Sequence, residues 1–275
     1  MTDNPMTDNP MTDNPAGARP PEPSTRRRSR RQETRLWHLP VTRVERVTPN
    51  LARITVRDES LAVLAGAGTD QNVMLYLYPE GTELPEPLTL DGARGLWSQV
   101  RPLTRTYTIR RHDPETNEVD FDFVLHGDIG PASAWASRVA VGDMMIFVGP
   151  SPAYQPDPDA DWYLLAGDET ALPAIANIMA AVRAPVVAFV EVAGPEEEQD
   201  LPGVTWLHRD APAGESTVLV DAIRAAELPP GTPEVWLAGE RSAMVDVRAH
   251  LLEDRGFPRK QVRPTTYWRL GESGN

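Results

Sequence analysis

The sequence contains no cysteine. Disulfides, thiolate nucleophiles, cysteine-ligated zinc and iron–sulfur clusters are thereby excluded. Lysine is nearly as scarce, Lys260 being the single one, and the 27 Lys and Arg face 40 Asp and Glu for a formal net charge of −13. Such a balance argues against a general nucleic-acid partner, and an anionic ligand has to be met by a local basic cluster. No run of roughly 18 apolar residues is present, so neither a membrane span nor a membrane partner is expected. The Arg-rich stretch 26–31 has the charge of a twin-arginine export signal but no apolar region follows it, which leaves the cytoplasm as the expected location. No His-Glu-x-x-His arrangement or other close histidine pair offers a metal site.

What is there suits two modest domains: 275 residues, 40% hydrophobic and 24% charged. Residues 1–15 are three copies of Met-Thr-Asp-Asn-Pro, followed by a Pro-rich stretch and the Arg cluster. Apolar periodicity is missing before about Leu36, so 1–35 is read as a disordered tail. From 36 to 150 the pattern is strand-like, with strands over 44–57 around a Pro-Asn turn, 72–78, 105–111, 119–125 and 144–148, and one short helix over 131–139. In the fourth of these, Val119, Phe121, Phe123 and Leu125 share one face and Asp120 and Asp122 take the other. Short strands with turns and one helix predict a small antiparallel barrel. A Pro- and Asp-rich stretch, 151–161, reads as a linker. Beyond it strands and helices alternate: strands over 162–166, 186–192, 204–208, 235–238 and 262–268, helices over 171–182, 218–226 and 243–253. That alternation predicts an α/β domain, 162–275, with a mainly parallel sheet that binds a nucleotide.

Five runs carry candidate chemistry. Arg105-Thr106-Tyr107-Thr108 lies on a predicted strand, with Arg105 and Tyr107 on one side and Thr106 and Thr108 on the other. A flavin needs a cation for its pyrophosphate, a flat aromatic surface and a short hydroxyl or backbone donor, and the tetrad offers all three; the same residues are also ordinary in strands. The run from Phe123 through His126, Gly127, Asp128, Pro131, Ala132 and Ser133 to Ala136 takes a strand through a Gly-containing turn into a helix. Pro131 suits the first helical turn, and free backbone N–H groups there, with the Ser133 hydroxyl, suit a pyrophosphate. Gly167-Asp168-Glu169-Thr170-Ala171 is a strand-to-helix turn at the carboxyl edge of the expected sheet, and Leu237-Ala238-Gly239-Glu240-Arg241 is a second. Tyr267-Trp268-Arg269 closes the set. Gly66-Ala67-Gly68 lacks the third glycine of a dinucleotide fingerprint and reads as a turn. Ser133 has no evident base partner, which argues against a hydrolase triad.

With these runs in this order, the sequence resembles the siderophore-interacting proteins, a branch of the ferredoxin-reductase superfamily, over roughly residues 36–271. The resemblance implies a FAD-binding β-barrel followed by a nicotinamide-binding α/β domain. It implies that Arg105, Tyr107 and Thr108 hold the flavin, and that His126, Asp128, Ala132 and Ser133 bind its adenosine and pyrophosphate portions. Gly167, Asp168, Glu169, Thr170, Ala171, Gly239 and Glu240 would receive the nicotinamide nucleotide, and Tyr267 and Trp268 would lie near the flavin ring. Thr266 departs from the Gly that the family more often has before the Tyr-Trp pair.

The implied activity is NAD(P)H-driven, FAD-dependent reduction of a ferric siderophore, releasing iron(II) by a monomer. The alternatives are a flavin reductase or oxygenase-partner reductase, and a siderophore-binding protein without turnover. Glu191 and the acidic run 194–200 follow the second strand of the sheet, which favours the free 2′-OH of NADH, although Arg209 after the next strand offers a cation to a 2′-phosphate. The resemblance also implies a basic substrate pocket, for which Arg259, Lys260, Arg263 and Arg269, around the last strand, are the candidates.

Overall fold

The computed structural model describes residues 33–65, 68–127 and 130–272, with the backbone alone of Arg27–Arg28. The first half holds β1 (Arg27–Arg28), β2 (Arg35–Thr48), β3 (Leu51–Arg57), β4 (Asn72–Leu77), α1 (Leu90–Gly95), β5 (Leu103–Asp113), β6 (Glu118–Val124), α2 (Pro131–Arg138), β7 (Met144–Gly149) and β8 (Tyr154–Gln155). The second holds β9 (Trp162–Asp168), α3 (Leu172–Ala181), β10 (Val186–Val192), β11 (Val204–His208), α4 (Val218–Ala225), β12 (Pro233–Glu240), α5 (Arg241–Glu253) and β13 (Thr265–Trp268).

Strands β2-β3-β6-β5-β4-β7 close into an antiparallel barrel, as the strand pattern predicts. Its interior is filled by Trp37, Ile54, Val56, Leu75, Phe121, Phe123 and Phe147, all 4% exposed or less. Closure leaves no unpaired edge, which is how so short a set of strands becomes independent of a second sheet. The other face of β6 departs from the simple alternation. Asp120 and Asp122 are buried rather than solvated. Arg53 grips Asp122 through Nε and Nη2 at 2.7 and 2.8 Å, while Arg111 Nε and Thr55 Oγ1 each reach Asp120 at 2.7 Å. The guanidinium groups lie across the strand and supply the hydrogen bonds that let two carboxylates leave water.

A second difference is the segment between β4 and β5. Residues 84–98 fold back on the outside of the barrel through α1, capped by Thr89 Oγ1 on the Gly92 N–H at 3.0 Å. Tyr76, Leu88, Ala93 and Ile146 form a small separate core beneath it. No periodic signal announces this element, because its apolar residues come from three strands and a loop.

The five-stranded sheet has the order β11-β10-β9-β12-β13, every pairing parallel. Helix α3 covers one face and α4 and α5 the other, each over its own apolar cluster. The strand order reverses between β9 and β12, which places a topological switch point there. The stretch read as a linker is packed: Tyr154 is fully buried and its hydroxyl donates to Glu234 Oε1 at 2.6 Å. Its backbone at Tyr154–Gln155 pairs with Arg27–Arg28, a contact that the tail's composition does not foretell. Residues 1–26 and 29–32 of the tail, and Gly66 and Ala67 of the Gly-Ala-Gly turn, lie outside the described residues.

Three further contacts fasten the barrel to the sheet. Asn177 Nδ2 of α3 donates to the Ile109 carbonyl at 2.8 Å, and Tyr267 Oη donates to Asp70 Oδ1 at 2.8 Å. Buried Glu197 accepts from the Asn50 N–H at 2.9 Å and from the Thr48 hydroxyl. The acidic run after β10 is therefore partly an interdomain clasp.

Candidate functional site

Two aromatic contacts tie β5 to α2 through β6. Tyr107 stacks on Phe123 with centroids 4.2 Å apart, and Trp135 of α2 packs on the same Phe123 at 5.4 Å. That shared ring brings the first turns of α2 to the strand face carrying Arg105 and Tyr107. Burial raises the Tyr107 pKa, which keeps its phenol protonated. Thr106 is exposed on the opposite face, whereas Thr108 is buried opposite Asn72.

Helix α2 begins at Gly130, which has no side chain to cap it, and Pro131 follows. The N–H groups of Ala132 and Ser133 stand at this start, where the helix field favours an anion. A Cβ at Gly130 would come within 2.7 Å of the His126 ring, which would have to swing aside. The Ser133 hydroxyl has partners within the chain. It accepts from the His126 N–H at 2.9 Å and donates to the Gly127 carbonyl at 2.8 Å, so it folds the turn onto the helix. Asp128 lies outside the described residues. The donors, the aromatic platform and the uncapped helix fit FAD.

At the sheet, two glycines let the switch point close tightly. A Cβ on Gly167 would stand 2.2 Å from the Ala238 carbonyl oxygen and 2.5 Å from Ala171 Cβ. Gly239, at φ +151°, lies where a Cβ would meet Asp168 Oδ2 at 2.8 Å. Asp168 is the hub. It accepts from the Glu240 N–H at 3.0 Å, the Thr170 N–H at 2.9 Å, the Thr170 hydroxyl and Trp268 Nε1 at 2.7 Å. Burial, with Glu169 beside it, pushes Asp168 up to about 6 against the pull of those hydrogen bonds. Glu240 caps its own helix, α5, accepting from the Ser242 N–H at 2.5 Å and the Ala243 N–H at 3.2 Å. The second turn is thus closed to an added anion, whereas α3 starts at Ala171 without a side-chain cap.

Strand ends bring three more groups together. Glu191 faces Asp168 across β10 and β9, and Arg209 directly follows β11. Arg209 binds Glu169 with both nitrogens, Nη1 at 2.7 Å and Nη2 at 2.5 Å, with Glu191 Oε1 at 3.8 Å. Burial raises Glu191 to about 7, although Arg209 works in the other direction.

The Tyr267–Trp268 pair is split by the alternation of β13. Tyr267 reaches the barrel at Asp70, two residues before Asn72, which pairs with Thr108. Trp268 turns to the sheet edge, its indole held by Asp168 and lying over Gly214, where a Cβ would be 3.0 Å from Cη2. Asp70 sits at φ +48°, a left-handed position that Asp tolerates, and no sequence pattern marks it.

The expectation that the last strand carries the whole basic cluster to this edge does not hold. Gln261 donates to the carbonyl of Pro233, the first residue of β12, and Val262 is buried under α5. The chain then climbs the length of β12, about 23 Å at ~3.3 Å per residue, before reaching Trp268 opposite Glu240. Arg259 and Lys260 therefore sit at the amino edge, Arg263 between, and Arg269 alone of the four follows Trp268 at the carboxyl edge, paired with Glu272 at 3.1 Å. The strand itself starts at Thr265 rather than 262, since Gln261 and Val262 are committed elsewhere and Pro264 has no N–H.

Two family models match in tandem: the siderophore-interacting FAD-binding domain over residues 40–154 and siderophore-interacting protein over 160–271. Ferric vibriobactin reductase ViuB of Vibrio cholerae is 30% identical over 250 residues, covering 86% of this chain and 90% of that protein. This chain belongs to the siderophore-interacting protein family. Within it, the uncharacterized protein Rv2895c of Mycobacterium tuberculosis is 33% identical over 254 residues, covering 85% of this chain and 90% of that one. A solved siderophore utilization protein from T. fusca superposes with a TM-score of 0.77 at 32% identity, over 90% of this chain and 97% of that chain. The barrel-then-sheet arrangement is the ferredoxin-reductase-like fold. No helix among the described residues is long and apolar enough to cross a membrane.

Proposed function

We propose that this protein reduces ferric siderophores, drawing on a nicotinamide nucleotide through bound FAD. The observation that carries this reading is convergence. Tyr267 links β13, whose next residue lies on the nucleotide edge of the sheet, to Asp70 beside the strand that bears Tyr107 and Thr108. The family's FAD-binding model over the barrel and the name of the Vibrio cholerae relative support the same reading.

In this account Arg105 and the open start of α2 hold the FAD pyrophosphate, Tyr107 and Thr108 lie along the flavin, and His126 borders its adenosine end. Bound FAD supplies the conversion of a two-electron donor into single electrons, the step that iron(III) requires. Uncapped α3 receives the nucleotide phosphates, because Glu240 has already taken the start of α5. Tyr267 and Trp268 border the gap between flavin and nucleotide and exclude water from it. No side chain has to shuttle a proton. The substrate is a ferric complex, and Arg269 is the member of the basic group that the fold brings to this edge. NADH serves at least as well as NADPH, since three carboxylates crowd the ribose end.

The experiment is anaerobic turnover of the purified yellow protein with NADH or NADPH and a panel of ferric siderophores, with ferrozine capturing iron(II). Ferrozine colour that tracks nucleotide oxidation supports the reading. Oxidation only with free flavin added as acceptor makes it a flavin reductase, and a colourless protein that binds the complex without turnover makes it a carrier.

A further inference from the structure

Arg209 is the basic residue among the strand ends next to the candidate nucleotide turn, and it is already engaged. Glu169 comes from the turn after β9, Glu191 from β10 and Arg209 from just past β11, three adjacent parallel strands. The Glu169–Arg209 pair is bidentate at 2.5 and 2.7 Å with its side chains only 17% and 9% exposed, and Glu191 completes the group at 3.8 Å with its side chain 8% exposed. The rigid fork of a guanidinium bound by two parallel hydrogen bonds holds its orientation as well as its charge. In nucleotide-binding sheets a carboxylate at this edge accepts from a ribose 2′-OH, while an Arg takes up a 2′-phosphate. Here both groups are present and bound to each other.

We propose that Glu169 is a specificity-determining residue: by holding Arg209 it withholds the cation that a 2′-phosphate needs and sets the preference toward NADH. The inference rests on the reading of this edge as the nicotinamide-nucleotide site. A 2′-OH can join the cluster without disturbing it, by donating to Glu191 or Glu169. A 2′-phosphate has to pull Arg209 away from a buried partner and leave Glu169 unpaired beside Glu191 and Asp168, four acidic groups in one place. Glu169 lines a small cleft against Thr48 and Asn50 of the barrel turn, which gives a released carboxylate little room to reach water.

The test measures kcat/KM for NADH and for NADPH in the wild type, in Glu169→Gln and in Glu169→Gln with Arg209→Gln, on holoprotein of matched FAD content. Gln keeps the shape of the pair but frees the Arg209 charge, so Glu169→Gln should raise the NADPH-to-NADH ratio about tenfold or more, carried by the KM for NADPH. The double variant should return the ratio to the wild-type value or below. A purely structural pair would lower both efficiencies together, and an unchanged ratio in folded Glu169→Gln overturns the proposal. Should that variant fail to fold, the wild type decides by inhibition with 5′-AMP and 2′,5′-ADP. Comparable inhibition constants support a withheld Arg209, whereas 2′,5′-ADP bound tenfold more tightly contradicts it. A wild-type holoprotein that oxidises neither nucleotide removes the functional reading along with this inference; one that oxidises both while the ratio stays fixed removes the inference alone.

Discussion

Helices α2 and α5 both start near candidate cofactor groups, and they are finished differently. Helix α2 opens at Gly130 with nothing on its first N–H groups from its own capping position, whereas α5 opens at Glu240, which bonds the N–H groups of Ser242 and Ala243 itself. Both follow a strand, and a glycine lies close before each start. The difference teaches that a helix start is an anion site only when the chain leaves it unfilled. The same contrast extends to the two halves. At the sheet edge Arg209 is held by Glu169 with Glu191 beside it, and Asp168 is held by Thr170, Glu240 and Trp268.

The largest expected effect tests the open half. Arg105→Ala and Tyr107→Ala should each lower FAD affinity roughly tenfold to hundredfold, the equivalent of a charge-assisted hydrogen bond of about 1.5–3 kcal/mol. Flavin absorbance per protein after gel filtration measures it, and full occupancy in both variants would remove the barrel assignment. Giving α2 the finish of α5 sharpens the contrast. Gly130→Asp should cost FAD about tenfold through a competing carboxylate, with Gly130→Ala separating the crowding of His126 from the charge.

Smaller effects are expected on the closed half. Glu240→Ala should lower stability by about 0.5–2 kcal/mol, the cost of a lost cap, while FAD content stays unchanged. The pH response of Glu191 has a definite sign. Burial raises it to about 7, above its unfolded value, so the native protein binds the extra proton, and the stability this group contributes below the unfolded value is lost as pH rises toward and through 7. Glu191→Gln should therefore gain in Tm relative to wild type at pH 8 and converge with it near pH 5. A constant difference across that range would mean that Glu191 does not titrate there. Lys260→Ala, at the far edge of the sheet, should leave the KM for an anionic ferric siderophore unchanged even at low salt.

Much of the fold was legible because period and punctuation agree. The 186–192 and 204–208 strands match the structure residue for residue, and the barrel follows from short alternating runs divided by turns. What escaped was set by partners distant in sequence. Asp120 and Asp122 read only as the second face of their strand, and the Arg53 and Arg111 that lie over them come from other strands. The Ser133 hydroxyl also closes the 126–127 turn, a contact that the residue pattern does not announce. The route of 259–264 along β12 depends on one Gln261 contact with Pro233, so charge spacing alone brought Lys260 to the wrong edge.

The central claim is that the two halves pass electrons to iron. Stopped-flow mixing of the FAD-loaded protein with NADH without oxygen, followed by a ferric siderophore, tests it directly. Flavin absorbance near 450 nm should bleach with NADH and return only on adding the ferric complex, with ferrozine-trapped iron(II) approaching two per flavin reoxidised, the ratio fixed by electron count. Flavin that bleaches but does not return with the ferric complex, or returns without iron(II), would contradict the account.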